Sequence, residues 1–522
     1  MSDLVVSTAY GKVRGLRKDG VAQWRGIPYA EPPVGPLRFR PPRPPVPWSG
    51  ERDATRFGAV AEQSRDPRSA MLSGFTDKIA MSEDCLVLNV LSPAADDARR
   101  PVLVWIHGGA FVMGSGSQPL YNGSSFVTRH DLVVVTFNYR LGLLGLLHLG
   151  DLAPADQGYR GNVTLLDQIA ALRWVRENIA AFGGDPARVT VMGESAGAIA
   201  IGTLLGAPAA KGLFDRAILQ SGASGLRPHD RADATAFARS VLAELGIGEE
   251  RLADGLAGAL ADVPIERLIA VQERLLGTRG IGAFTPFVDG ELLPRSPTDA
   301  VQDGQGVHVP TLIGSNRDEW TLFDVLLGPA ALEASKAHLI DRLGDDAARI
   351  HAAYQAAYQR AIAAQTPAVG AARTRPPDTA AWIDLLGDVG LRVPALRLAE
   401  AQARHAPVWM YRFDWESPAF GGRFGATHAL ELPFVWNQLG LPIASFLLGP
   451  DAAGARELAL QLHDAWAAFI RGGEPAAAGL PAWPRFEPPR RATMLIDRQS
   501  RVADDPDAEV RARWSEVAPA AP

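Results

Sequence analysis

One cysteine, Cys85, in 522 residues excludes an intramolecular disulfide and any metal centre built from clustered thiolates. Positive charge is not in excess either. The chain has 52 Lys and Arg against 58 Asp and Glu, a net charge of −6 with pI near 6.0, so partnership with nucleic acid or an anionic membrane surface is not expected. Long apolar runs are missing as well. The most hydrophobic short stretch, residues 141–149, holds glycines and His148 and falls well short of the roughly 20 residues that span a bilayer. The first residues, Met1-Ser2-Asp3-Leu4-Val5-Val6, lack a basic segment followed by a long apolar one. No secretory signal and a cytoplasmic location are therefore expected. The text shows no fixed-period repeat and no linker that would force separate domains.

What the chain does have is enough apolar residue, 47%, to bury a large core. Residues 4–30 alternate apolar and polar around turn glycines and predict short antiparallel hairpins, and the proline-rich stretch 32–47 predicts an extended surface loop. Residues 86–91, 101–106 and 132–137 are nearly all apolar, as strands buried on both faces must be. Apolar positions Leu165, Leu166, Ile169, Leu172, Val175 and Ile179 follow the helical period, with Asn162 as the expected N-cap. Strands are also expected at 214–220, 309–313 and 407–414, and helices in 230–278, in 330–405 around a polar loop at 366–379, and at 457–471. Alternating strand and helix indicate an α/β fold with a central, mostly parallel sheet. The expectation is a single domain over 1–522 with helical insertions near 230–280 and 330–405.

The stretch Val189-Thr190-Val191-Met192-Gly193-Glu194-Ser195-Ala196-Gly197 carries the first chemistry. A β-branched run ending in Gly-x-Ser-x-Gly reads as a strand, a sharp turn and a helix with Ser195 at the tip. Glycines on either side remove the Cβ atoms that a strained turn and a close helix would meet. The first helix amides, beginning with Ala196, are free to face a developing negative charge. An ordinary βα turn with a capping serine gives the same text.

After the strand at 101–106 comes Ile106-His107-Gly108-Gly109-Ala110-Phe111. Paired glycines let backbone amides turn toward a ligand atom, which suits an oxyanion hole; a plain tight turn is the alternative. A nucleotide-phosphate loop is not matched, since no Lys-Ser/Thr follows. His107 reads as a brace for this loop.

A serine nucleophile needs a base within reach, itself oriented by an acid, and on an α/β-hydrolase sheet the chain order is serine, acid, histidine. Of ten histidines, His338 and His351 lie in helical text, His463 on the helix at 457–471, and His405 before a strand. His428 follows a glycine-rich loop, as a base reaching across a sheet should. Glu319 closes the turn Gly314-Ser315-Asn316-Arg317-Asp318-Glu319 directly after a strand, with Asp318 as its close competitor.

Several stretches then resemble the type-B carboxylesterase and cholinesterase family of α/β-hydrolases. They are Gly26-Ile27-Pro28-Tyr29-Ala30, Ser82-Glu83-Asp84-Cys85-Leu86, Asn138-Tyr139-Arg140, Gly161-Asn162-Val163 through Phe182-Gly183-Gly184-Asp185-Pro186, the Ser195 motif, and Val288-Asp289-Gly290. The resemblance implies the α/β-hydrolase fold and hydrolysis of small-molecule carboxylic esters, with no cofactor and no metal. It implies Ser195 as nucleophile, Glu319 as acid, and His428, followed by Glu431 and Phe434, as base. It also assigns the amides of Gly109, Ala110 and Ala196 as oxyanion donors. Phe111, Phe284, Phe287 and Phe323 are the expected apolar wall of the substrate pocket. Two other functions stay open: a non-catalytic binding module of the same family, and a lipase or carbamate hydrolase on the same fold.

The chain also departs from the family. The secreted members' disulfide partner of the cysteine in Glu-Asp-Cys-Leu is replaced here by Ala61. The tryptophan with which cholinesterases hold a quaternary ammonium is replaced by Phe75, a weaker cation–π platform. Gly280-Ile281-Gly282-Ala283 stands where cholinesterases place bulky aromatics, which implies room for acyl groups larger than acetyl.

Overall fold

The computed structural model describes residues 4–66, 80–225, 229–248, 255–363, 375–449 and 454–515. Phe75 and most of the expected loop at 366–379 lie outside the described residues. In chain order the strands are β1 (Val5–Ser7), β2 (Lys12–Arg14), β3 (Leu16–Lys18), β4 (Val21–Pro28), β5 (Glu51–Asp53), β6 (Val87–Ser92), β7 (Arg100–Ile106), β8 (Val133–Phe137), β9 (Gly184–Glu194), β10 (Arg216–Gln220), β11 (Thr311–Asn316), β12 (Val408–Phe413), β13 (Ala492–Ile496) and β14 (Arg501–Asp504). Eleven of them form one sheet in the order β14-β13-β12-β11-β10-β9-β7-β8-β6-β4-β3, while β1, β2 and β5 form a small separate sheet. From β13 to β8 every neighbouring pair is parallel. Both edges of the large sheet are antiparallel.

The continuous apolar strands are explained by two cores. Along β7, Val102, Val104 and Ile106 enter one core, and Leu103 and Trp105 the other. Val133 and Val135 part from Val134 on β8 in the same way. A period-2 side-chain alternation with apolar residues at every position can be buried only if both faces are covered. The helix Val163–Asn178 covers the first face through Leu165, Ile169, Leu172 and Val175, and Ala455–Gly472 covers the second through Leu458, Leu462, Trp466 and Phe469. A third, smaller core joins the helices Thr321–Leu343, Asp345–Ala363 and Pro377–Gly387 with Trp514. No helix among the described residues is long and apolar enough to cross a membrane.

One local expectation is corrected. Asn162 does occupy the position before the helix, but in the left-handed region (φ 53°) and without a side-chain cap bond. Its amide instead donates to Phe287 O (2.8 Å) and Asp289 Oδ2 (2.9 Å) and accepts from Phe287 N, fastening a segment distant in sequence. The strands β13 and β14 near the C-terminal end had no counterpart in the sequence reading.

Cys85 is free and buried. The segment between Ala61 and Cys85 is closed by backbone hydrogen bonds, Val60 N to Ala80 O (2.9 Å) and Ser82 N to Val60 O (3.0 Å).

Candidate active site

Strand β9 ends at Glu194, and Ser195 follows with φ 56° and ψ −122°, a conformation costly for a residue with a side chain. Close packing enforces it. A Cβ on Gly197 would sit 2.0 Å from Ile106 O, and one on Gly193 would sit 2.7 Å from the Gly197 carbonyl carbon. Ser195 N donates to Gln220 O at 2.9 Å, which ties the turn to β10. The helix Ala196–Leu205 starts at once, so its first amides have no carbonyl partner within the helix.

The loop after β7 takes three consecutive positive φ values, 111° at Gly109, 53° at Ala110 and 60° at Phe111. Its turn is closed by the Val112 and Met113 amides on Gly109 O. Gly108 is required because a Cβ there would meet Glu194 O at 2.7 Å and Ser195 Cβ at 3.2 Å. This contact sets the glycine loop against the serine turn. His107 is fully buried, contacts Gly108 O through Nδ1 (2.8 Å) and stacks on Tyr139 with ring centroids 4.3 Å apart. Burial lowers its pKa to about 4. It is a neutral brace, as the sequence suggested.

His428 reaches the site from the loop after β12. Its Nδ1 lies 2.7 Å from Glu319 Oε2, and its Nε2 lies 3.0 Å from Glu194 Oε1. Glu319 is held in turn by Asn316 N, which donates to its Oε1 at 2.7 Å. Burial disfavours the imidazolium, but Glu194, Glu319 and Glu431 outweigh it and raise the pKa of His428 to about 9. Glu194 is raised to about 8, first by burial and then by the nearby Glu431 and Glu319, with His428 opposing. The imidazole and the Glu194 carboxyl therefore titrate as a coupled pair.

Asp318, the competing acid, faces elsewhere. Its Oδ2 accepts from Ala426 N (2.8 Å) and pairs with Arg317 (2.8 Å), and Asp318 N donates to Ala426 O. It anchors the loop that carries His428. His463 is engaged by Val435 O and Ser125 Oγ, His405 by Gln302 O, and His351 stacks on Trp382.

A cavity of about 240 Å³ opens on Ser195 and His428, lined mostly by apolar side chains. Ala110, Phe111, Ala196, Phe284 and Phe323 line it. Phe287 does not: its ring is buried against His148, with centroids 5.1 Å apart, and its carbonyl is held by Asn162. The sequence reading of Phe287 as pocket wall is corrected accordingly.

The sequence model of the carboxylesterase family matches residues 2–514. The chain belongs to the carboxylesterase family. It is an enzyme, a carboxylic ester hydrolase of the α/β-hydrolase fold. It is 39% identical over 523 residues to the para-nitrobenzyl esterase of Bacillus subtilis (strain 168), covering 98% of each chain. To the phenmedipham hydrolase of Pseudarthrobacter oxydans it is 36% identical, over 96% of this chain and 97% of the other. The crystal structure of the Geobacillus stearothermophilus carboxylesterase superposes with a TM-score of 0.82 at 41% identity, over 98% of this chain and all of that one.

Three residues of this carboxylesterase site, Glu194, Asn316 and Gln220, carry no role in the sequence reading. Glu194, inside the serine motif, faces His428. Asn316 binds Glu319 through its amide, and through its side chain it binds Glu431 Oε2 and Thr427 O, both at 2.6 Å. Gln220 donates to Glu431 Oε1 at 3.0 Å. The buried network joins the ends of β9, β10 and β11 to the His428 loop. The sequence signal for Glu194, Gln220 and Asn316 is that polar residues close strands that are otherwise apolar.

Proposed function

We propose that the chain is a serine carboxylesterase in which Ser195 attacks the ester carbonyl while His428 takes its proton. Glu319 orients the imidazole and stabilises its charge, and the amides of Gly109, Ala110 and Ala196 receive the oxyanion. The alcohol leaves with the proton returned by His428. Water then repeats the sequence on the acyl-enzyme. The chemistry requires neither metal nor cofactor. The observation that carries this reading is the 2.7 Å contact of His428 with Glu319 beside a strained Ser195, both His428 and Ser195 opening on one apolar cavity. A non-catalytic binding module would have no need to hold these groups together.

His428 Nε2 lies 3.0 Å from Glu194 Oε1, and its bond to the serine hydroxyl forms in the substrate complex. Catalytic hydrogen bonds commonly tighten only in the substrate complex. The apolar lining and the Gly280 to Ala283 segment support acyl groups larger than acetyl. Each buried methylene is worth roughly 0.8 kcal/mol, about a factor of four in kcat/KM until the pocket is full. The test is kcat/KM for p-nitrophenyl acetate, butyrate, hexanoate and dodecanoate. A rise from acetate to butyrate or hexanoate is expected; a maximum at acetate overturns the acyl preference. Organophosphate labelling of Ser195 alone, one per chain, is expected, and labelling elsewhere overturns the nucleophile assignment.

A further inference from the structure

The protein carries a net charge of −6, yet its active-site cavity is lined by two arginines and three histidines, with no carboxylate among the described lining residues. One histidine is His428. The others, His229 and His338, stand with Arg279 and Arg342 in a second group. Arg342 Nη1 donates to His229 Nδ1 at 2.8 Å, and the His229 and His338 rings lie 6.4 Å apart. Burial, and then the charge of Arg342, lowers the pKa of both histidines. They are neutral, and the positive charge of the group resides on the two guanidinium groups. Asp233 approaches His229 at 3.5 Å and Asp341 acts on His338, but neither lines the cavity.

This group adjoins the Gly280 to Ala283 segment, to which the proposed function assigns the acyl group. His428 must return its proton to the leaving oxygen, so the alcohol part lies against His428 and its neighbour Phe323, with ring centroids 5.2 Å apart. The acyl chain is assigned to the part of the cavity lined by Gly280, Gly282 and Phe284. There the basic group begins. Arg279 lies over the Phe237 ring at 5.3 Å, and that ring meets Phe284 edge-on at 5.7 Å. His338 packs within 4 Å of where a Gly282 side chain would start, and His229 is bridged to Phe287. Arg279 is exposed and Arg342 half-buried, so a carboxylate arriving there keeps part of its hydration and avoids the cost of full burial.

We propose that the acyl end of the cavity recognises an anionic group, and that the preferred substrates are monoesters of dicarboxylic acids whose free carboxylate reaches Arg342 and Arg279. This rests on the serine esterase reading above. Charge-assisted hydrogen bonding by a guanidinium is the physical basis.

The experiment compares mono-p-nitrophenyl hexanedioate and octanedioate with p-nitrophenyl hexanoate and octanoate. For at least one length the wild-type enzyme is expected to favour the anionic ester in kcat/KM. Arg342→Gln is expected to reduce that anionic-to-neutral ratio about tenfold or more, chiefly through KM, with the neutral ester changed less than about threefold. Arg342→Lys keeps part of the preference. In wild type, independent of any variant, raising salt from low to high concentration is expected to shrink the ratio, because a partly exposed charge contact is screened. A neutral ester favoured at both lengths, or a ratio insensitive to both Arg342→Gln and salt, overturns the proposal. Failure of the serine esterase reading itself would look different: neutral-ester turnover that survives Ser195→Ala.

Discussion

His428 Nε2 lies 3.0 Å from Glu194 Oε1. With Glu319 on the other ring nitrogen, the imidazole is flanked by two buried carboxylates, and both favour its protonated form. The proposed base works only when neutral, so activity must fall as pH drops through its pKa. The acid limb of kcat/KM, which reports the free enzyme, is expected above the ordinary histidine value of about 6.5. Glu194→Gln removes one of the charges that raise the pKa, so the limb should move to lower pH. A pH profile of both proteins checks this, and a limb that stays in place or rises contradicts it.

Ser195→Ala, with the fold intact, is expected to lose about three or more decades of kcat, since nucleophile and base act as a unit. Steady-state turnover of p-nitrophenyl butyrate, with circular dichroism as a check on folding, provides the measurement. Turnover close to wild type would remove Ser195 from the mechanism.

Glu319→Gln and Asp318→Asn are expected to separate chemistry from scaffolding. The first leaves the imidazole without its charged partner and should lower kcat on the order of a thousandfold or more. The second weakens the anchor on Ala426 and Arg317, at a cost of about 1.5–3 kcal/mol for hydrogen bonds to a charged group, with a much smaller loss of kcat. Kinetics and urea unfolding together decide, and the reverse ranking in kcat would move the acid by one position.

Gly197→Ala places a methyl 2.0 Å from Ile106 O. Backbone at the serine turn must give way, so an overpacking cost of about 1–3 kcal/mol and a reduced kcat are expected together. Unchanged stability and activity would show that the turn is not held as tightly as this contact requires.

Arg140 and Asp167 form a buried bidentate pair at 2.6 and 2.8 Å. Asp167→Ala strands the guanidinium and should cost about 3–5 kcal/mol in urea unfolding. A loss under 1 kcal/mol would mean that water reaches the arginine.

The local text determined the frame of this protein. Apolar strands between helical periods specify a covered parallel sheet, because side-chain direction along a strand or helix is fixed by a period of a few residues. The serine turn was legible from its motif, although only Gly193 answers a clash inside the turn; Gly197 answers one with Ile106 on β7. Only tertiary structure decided how distant segments meet. Asn162 looked like a cap and became a clasp on Phe287. Phe287 looked like pocket wall and packed against His148. Asp318 and Glu319, adjacent in sequence, point to different tasks because one meets the Ala426 amide and the other His428. Glu194, Asn316, Gln220 and Glu431 come from four parts of the chain, and Arg279, Arg342, His229 and His338 from three. No periodicity relates such residues, since their proximity arises only once the sheet order and the loop crossings bring the strand ends and inserted helices together.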